Sequence, residues 1–211
     1  MVKTASELYN QLLSYTDLGE TTICHLHKPC DENPLCSPTS STQLIDFDHI
    51  EYLLAKGSRP SEPSCDGVTL NNNRSVFCFV EIKGWSKFVA RNIQDSSGLS
   101  EQEKLQIDKQ VSSFDLKGKL TQSIKDCEEI AEQTDLFPTI PYVYVIVSDI
   151  NNEKNALDDF VANLSSLAET ASVWTYCDGK MEEALASVNL AVKKVYAHCR
   201  DFDTVISEIR A

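Results

Sequence analysis

The chain has 211 residues, of which 42% are hydrophobic and 24% are charged, and its formal net charge is −13. This length and composition allow one globular domain with a full core, so residues 1–211 are predicted to form a single domain. The negative charge argues against nucleic-acid binding through bulk electrostatics. No apolar run approaches the roughly 20 residues of a membrane span, and the N-terminus lacks a signal-peptide pattern. We therefore expect a soluble, cytoplasmic (intracellular) protein with no membrane partner.

The first half of the chain predicts a helix, a long loop and a hairpin. Leucines recur at helical spacing over residues 4–15. Residues from about 19 to 42 are rich in Cys, Pro, Ser and Thr, which indicates an irregular loop. A short strand is predicted at 44–48 and a short helix at 50–56. Strands at 66–70 and 75–83 flank an Asn-rich turn, which is typical of a hairpin.

The second half predicts alternating helices and strands. Residues 84–100 look irregular, and 101–134 have a helical pattern that is interrupted near Gly118. The run at 142–147 is apolar on both faces, which favours an internal strand. A helix at 155–170, a strand at 172–176 and helices at 181–197 and 203–210 complete the order, so about 180–211 is read as a C-terminal helical extension. The chain is therefore expected to be α/β, with a mixed sheet flanked by helices on both faces.

An acid and a lysine end the most apolar strand of the hairpin. Side chains alternate along a strand, so Glu81 and Lys83 lie on one face with Phe79. If the turn centres on residues 72–73, Asp66 pairs with Phe79 and lies one diagonal step from Glu81, within roughly 7–8 Å. An odd-length turn would instead put Asp66 on the opposite face. Two converging carboxylates suit Mg²⁺ or Mn²⁺, and a lysine beside them can orient a water molecule and stabilise charge on a phosphate.

Asp66 followed by Glu81-Ile82-Lys83 on a hairpin resembles the PD-(D/E)XK nuclease superfamily, whose fold is restriction-endonuclease-like. The resemblance implies a core of helix, three strands, helix and strand. It also implies that Asp66, Glu81 and the backbone carbonyl of Ile82 bind the metal, while Lys83 positions the attacking water. The leading proline of the motif is missing here, because Ser64-Cys65 directly precedes Asp66.

The resemblance also implies further polar residues from two helices. One is an acid of the first helix, for which Glu7 is the candidate and Glu20 the alternative. The others come from the helix after the lysine strand and would meet a phosphate. They are Lys119 and Gln122, with Ser123 beside them. Asp46 and Asp48 are alternative acids of the site.

Cysteine and histidine side chains cluster in the long loop. Thiolate and imidazole groups are zinc ligands, and a metal would stabilise a loop with little core of its own. The possible zinc ligands are Cys24, His27, Cys30 and Cys36. Their spacing lacks the usual C-x₂-C pair, so a surface loop with free thiols is the competing interpretation. A disulfide would need an oxidising compartment.

These observations predict a metal-dependent nuclease that hydrolyses phosphodiester bonds, with DNA as the expected substrate. The acidic chain would act as an effector subunit of a larger complex, for example in a defence system, or as a homo-oligomer. The alternative is a catalytically inactive nuclease-fold protein that serves as an interaction or nucleic-acid-binding subunit. In that case Glu81 and Lys83 would be an ordinary ion pair, worth about 0–1 kcal/mol if exposed.

Overall fold

A computed structural model describes residues 2–26, 40–58, 62–93, 99–149, 173–189 and 192–211. In these ranges six strands form one sheet in sequence order: β1 (Glu20–Thr21), β2 (Leu44–Asp46), β3 (Gly67–Leu70), β4 (Phe77–Lys83), β5 (Tyr142–Ser148) and β6 (Lys193–His198). The helices of the same ranges are α1 (Ala5–Tyr15), α2 (Ile23–Leu26), α3 (Phe47–Leu54), α4 (Ser86–Asn92), α5 (Glu101–Ser112), α6 (Leu116–Ile130), α7 (Val173–Ser187) and α8 (Phe202–Glu208).

The sheet is mixed, and its two faces carry separate hydrophobic clusters. Strands β1 to β4 pair antiparallel, whereas β4, β5 and β6 pair in parallel. Phe77 and Phe79 of β4 belong to the cluster that includes Leu120 of α6, and Val80 belongs to the cluster that includes Phe202 of α8. Because successive strand residues face opposite sides, a continuous apolar run suits a strand that is covered on both faces. The predicted α/β class with a mixed sheet is confirmed.

Asn71 organises the turn between β3 and β4. Its backbone N–H donates to the carbonyl of Val76 at 3.2 Å. Its side-chain Oδ1 accepts the backbone N–H groups of Ser75 and Val76, each at 2.9 Å. Arg74 has φ +56°, a left-handed conformation inside the turn. The loop therefore has four residues between Asn71 and Val76, and it is not the tight turn centred on residues 72–73 that the sequence suggested.

This longer loop corrects the predicted register of the hairpin. Leu70 was expected to pair with Ser75 but pairs with Phe77. The shift of two residues is even, so it leaves every side chain on its predicted face. Continuing the ladder by one step places Asp66 directly opposite Glu81.

In the C-terminal part of the chain the helix predicted at 203–210 is confirmed as α8 (Phe202–Glu208), but two other elements were predicted wrongly. The segment predicted as a strand at 172–176 forms the start of α7 from Val173 on. The helix predicted at 181–197 ends at Ser187, and residues 193–198 form β6, which pairs with β5. The segment from about 180 to 211 is therefore not a helical extension, because it adds a parallel strand to the sheet. Residues 84–100, predicted to be irregular, contain α4. The helix predicted at 155–170 lies outside the described residues.

Two features explain these errors: a stripe of buried side chains along α7, and the position of β6 at the edge of the sheet. In α7 every fourth residue is buried, which is a helical spacing that runs through the predicted strand at 172–176; the buried residues are Val173, Cys177, Met181 and Leu185. In β6 only Ala197 is buried, so the strand lacks the apolar run that marks a central strand. Within the described ranges, no helix is long and apolar enough to cross a membrane.

Candidate active site

Asp66 and Glu81 meet around one lysine of α6. The Lys119 Nζ atom lies 2.7 Å from Glu81 Oε1 and 3.7 Å from Asp66 Oδ1. The Asp66 Oδ2 atom accepts the backbone N–H of Ile82 at 2.5 Å, which fixes the aspartate against β4. The two carboxylates that the sequence predicted to converge are thus brought together, and the ammonium of Lys119 bridges them.

Lys83 contacts the same carboxylate oxygen as Lys119. Its Nζ atom donates to Glu81 Oε1 and lies 4.8 Å from the centre of the Phe114 ring. A cation over an aromatic face is attracted by the negative potential of the ring. Trp85 is fully buried and packs edge-on against Phe114. Phe114, which Trp85 supports, therefore positions Lys83.

Glu81 is fully buried, and this burial has the largest effect on its pKa. Burial, together with the charge of Asp66, raises the pKa of Glu81 to about 7, and the charges of Lys83 and Lys119 oppose this shift. Burial alone would lower the pKa of Lys119, but the charges of Glu81 and Asp66 outweigh it and raise that pKa. Glu81 Oε2 is buried and has no hydrogen-bond partner among the described residues. A buried carboxylate oxygen without a partner is costly, which makes this atom a candidate ligand atom.

The oxygen atoms around Glu81 are of the type that binds Mg²⁺ or Mn²⁺. In the described ranges no three His, Cys, Asp or Glu side chains are arranged to hold a metal ion, so among these residues a backbone carbonyl is the candidate for a third protein ligand. Ile82 is suitable, because its N–H bonds to Asp66 and the N–H and C=O groups of a strand residue point to the same side. Glu81 Oε2, Asp66 Oδ1 and the Ile82 carbonyl are the atoms that fit this role.

A row of further acids extends from the site along α3 and α6. Although Asp48 is exposed, its carboxyl is partly desolvated, and this together with the charges of Asp66 and Asp46 raises its pKa to about 6. Glu51 accepts a hydrogen bond from Ser64 Oγ at 3.1 Å. Burial raises the pKa of Glu51 to about 7, and the charges of Asp126 and Asp48 add to the shift. The sequence had marked Asp46 and Asp48 as alternative acids, but it gave no indication of Glu51.

Two of the predicted site residues, Gln122 and Glu7, make hydrogen bonds to groups other than Asp66 and Glu81. Gln122 donates its side-chain amide to Asp126 Oδ1 at 2.8 Å, so it holds an acid of α6. Glu7 accepts the backbone N–H groups of Lys3 at 2.7 Å and Thr4 at 3.1 Å, and it thereby forms the capping box of α1. No contact within the described ranges joins Glu7 to Asp66 or Glu81. Glu20, the alternative acid, accepts the Tyr9 hydroxyl at 2.8 Å.

Of the four predicted zinc ligands, the described residues include only Cys24. Cys24 lies in α2 and is half-buried as a free thiol. His27, Cys30 and Cys36 lie outside the described residues. The zinc site therefore stays a prediction.

Ser123 has a structural role instead of the predicted contact with a phosphate. It is fully buried, and its Oγ accepts the backbone N–H of Cys65 at 2.8 Å while donating to the carbonyl of Lys119 at 3.0 Å. This hydroxyl joins α6 to the residue before Asp66, so it aligns the lysine of one element with the acid of the other. The sequence gives only one sign of this role, which is that Ser123 follows Lys119 by four residues, about one helical turn.

Replacing Ser123 by alanine is expected to lower the free energy of unfolding by about 1–3 kcal/mol, because the buried N–H of Cys65 loses its acceptor. Chemical denaturation measures this change. Thr121→Ala is the control, since the Thr121 hydroxyl is exposed to solvent on α6 and bonds to the Lys117 carbonyl of its own helix, and it should change stability by less than about 0.5 kcal/mol. Equal losses in the two variants would contradict the assigned role of Ser123.

Comparisons with protein-family models, with curated proteins and with solved structures found no match to this chain. The resemblance to the PD-(D/E)XK superfamily therefore depends on Asp66 and Glu81-Ile82-Lys83 and on the geometry around them.

Proposed function

We propose that this chain is a metal-dependent nuclease of the PD-(D/E)XK type that hydrolyses phosphodiester bonds in DNA. The supporting observation is the convergence of two carboxylates and two ammonium groups from three elements on one buried position. Asp66 precedes β3, Glu81 and Lys83 end β4, and Lys119 projects from α6. An arrangement with this cost in desolvation is more typical of a reactive site than of a structural ion pair.

Each group has a role in phosphodiester hydrolysis. Asp66, Glu81 and the Ile82 carbonyl would hold Mg²⁺ or Mn²⁺, which supplies Lewis acidity and a water molecule of lowered pKa. Lys83 would orient the attacking water and stabilise the charge that develops on the phosphate. Lys119 would offset the charge of the two acids before the metal binds and contact the phosphate afterwards.

The order of elements supports the same proposal. Helix α1 is followed by the antiparallel strands β2, β3 and β4, then by α6 and by β5, which is parallel to β4. This order is similar to the helix, three strands, helix and strand that the resemblance implies, and the similarity supports the proposal. Helices α3, α4 and α5 would be additions to that core.

The direct test is a cleavage assay on supercoiled plasmid and on single-stranded DNA with Mg²⁺, with Mn²⁺ and with EDTA. We expect metal-dependent cleavage that Asp66→Asn and Glu81→Gln each reduce by at least about 10²-fold. Both variants keep the shape of the side chain, and their thermal unfolding reports whether the fold is intact. Cleavage that survives in the double variant would refute the proposed site.

A second candidate function is a nuclease-fold protein without catalysis that serves as an interaction or DNA-binding subunit. The observation that favours it is the closed ion cluster, because two ammonium groups already neutralise Glu81 Oε1 without a metal. The net charge of −13 fits a subunit that relies on a protein partner or on a second copy to hold DNA. DNA binding without cleavage under any metal condition would favour this function.

A further inference from the structure

Tyr144 of β5 lies on the same face of the sheet as Glu81. In the parallel register Tyr144 pairs with Phe79, and Glu81 lies two residues beyond Phe79 on β4. Tyr144 and Phe79 belong to the same hydrophobic cluster, and residues two apart along a strand share a face. With a strand spacing of about 4.8 Å and a rise of about 3.3 Å per residue, the backbones of Tyr144 and Glu81 are about 8 Å apart. The side chains of a tyrosine and a glutamate are long enough to meet across this distance.

The Tyr144 hydroxyl and the Glu81 carboxylate have complementary unsatisfied groups. Both side chains are fully buried. Within the described ranges, neither the Tyr144 hydroxyl nor Glu81 Oε2 has a hydrogen-bond partner. Buried polar atoms in native proteins are nearly always paired. Here one atom carries a proton to donate and the other is a carboxylate oxygen that accepts.

The neighbours of the Tyr144 hydroxyl favour Glu81 as its acceptor. Burial has the largest effect on the pKa of Tyr144 and raises it, and the nearby Cys65, Glu81 and Asp66 add to the shift. The hydroxyl therefore keeps its proton and acts as a donor. The thiol of Cys65 is a weak acceptor, and both oxygens of Asp66 already face other donors. Glu81 Oε2 is the strong acceptor that remains among these neighbours.

We propose that Tyr144 is a positioning residue of the candidate metal site: its hydroxyl donates to Glu81 Oε2, directly or through one water molecule, and fixes the orientation of that oxygen. This inference rests on the proposed function, since it assumes that Asp66 and Glu81 bind Mg²⁺ or Mn²⁺. Lys83 and Lys119 hold the other oxygen, Oε1, so Tyr144 removes the remaining freedom of the carboxylate. An oxygen with two lone pairs can accept the hydroxyl and bind a metal at once.

The test is the affinity of the metal-free protein for Mn²⁺, measured by isothermal titration calorimetry. Tyr144→Phe keeps the ring and removes only the hydroxyl, so it should weaken Mn²⁺ binding about tenfold, the effect expected when a metal ligand loses a partner that orients it. Thermal unfolding in EDTA reports whether the fold is intact. Asp66→Asn should abolish the binding event that belongs to this site and so identifies it in the titration.

Tyr9→Phe is the matched control. The Tyr9 side chain is also buried, and its hydroxyl donates to Glu20 at 2.8 Å, away from the candidate site. This variant should lower the melting temperature and leave the affinity for Mn²⁺ unchanged.

Cleavage at varied Mn²⁺ concentration separates positioning from catalysis. In Tyr144→Phe the half-saturating Mn²⁺ concentration should rise about tenfold, while the rate at saturating Mn²⁺ stays almost unchanged, because the hydroxyl touches neither the substrate nor the attacking water. A general loss of structure would lower the rate at every Mn²⁺ concentration.

The outcomes separate this inference from the proposed function. Equal Mn²⁺ affinities of Tyr144→Phe and wild type would overturn the inference and leave the nuclease function in place. An equal loss of affinity in Tyr144→Phe and Tyr9→Phe would also overturn it, since the effect would then come from stability. Wild-type protein that binds no Mn²⁺, or binds it as well as Asp66→Asn does, would refute the metal site, and with it both the proposed function and this inference.

Discussion

Replacing Lys83 by alanine is expected to slow phosphodiester cleavage about 10²–10³-fold, the range for loss of one group that stabilises transition-state charge. The ammonium of Lys83 is held between Glu81 Oε1 and the face of Phe114, so it is fixed before the substrate binds. Single-turnover cleavage at saturating DNA measures the change in rate. The expected loss is in kcat and not in KM, because a group that acts in the transition state adds little to substrate binding.

Two further variants make this experiment specific. Lys104→Ala removes a lysine whose partner is the exposed Glu101 of the same helix, and it should leave the rate unchanged. Lys119→Ala should affect metal dependence as well as rate, since Lys119 contacts both acids. An equal loss of cleavage rate in the Lys83→Ala and Lys104→Ala variants would show that the rate depends on the overall charge of the protein and not on the position of Lys83 in the site. An undiminished rate in Lys83→Ala would exclude the role assigned to that residue.

Glu51→Gln is expected to stabilise the protein at pH 8 and to have almost no effect at pH 4. Burial raises the pKa of Glu51 to about 7 in the folded state, above the ordinary value of 4.5. The folded state therefore holds the proton more tightly than the unfolded state, and the stability that this provides below pH 4.5 is lost as pH rises towards 7. One pKa unit corresponds to about 1.4 kcal/mol. Allowing for screening by solvent at this partly accessible carboxyl, we expect a gain of about 1–2 kcal/mol.

Urea denaturation between pH 4 and pH 8 measures the difference between Glu51→Gln and wild type. Glutamine keeps an oxygen that can accept the Ser64 hydroxyl, so the comparison isolates the charge. Glu7→Gln is the control of opposite sign, because hydrogen bonds from Lys3 and Thr4 lower the pKa of Glu7, and this variant should lose stability at pH 8. A Glu51→Gln difference that is constant across the pH range would contradict the argument.

The hairpin and its acids could be predicted because local rules determine them. Alternation along β4 places Glu81 and Lys83 on one face, and this depends on no distant contact. The exact pairing could not be predicted, since the loop length follows from the side-chain bonds of Asn71 and the left-handed Arg74. In the same way, β6 was mistaken for helix because its place at the edge of the sheet is set by its pairing with β5 and not by an apolar pattern.

The positions of the site residues on the hairpin could be predicted from the sequence, whereas those on α6 could be predicted only in part. Lys119 and Gln122 were both predicted to contact a phosphate; Lys119 lies against Glu81, whereas Gln122, three residues further on, contacts Asp126. One turn of a helix spans 3.6 residues, so a small rotation of α6 decides which of its polar residues faces β4. That rotation depends on the bond between Ser123 and the backbone of Cys65, a contact between segments 58 residues apart.

The loop of residues 72–75 offers a way to measure how tolerant this site is to insertions and deletions. Removing or adding two residues there would slide β3 along β4 and keep Asp66 on the face of Glu81. Adding one residue would turn Asp66 to the other face, where Val80 and Phe202 form the second hydrophobic cluster. Homologous sequences that retain the site should therefore differ in the length of this loop by even numbers, unless a bulge compensates for the odd residue.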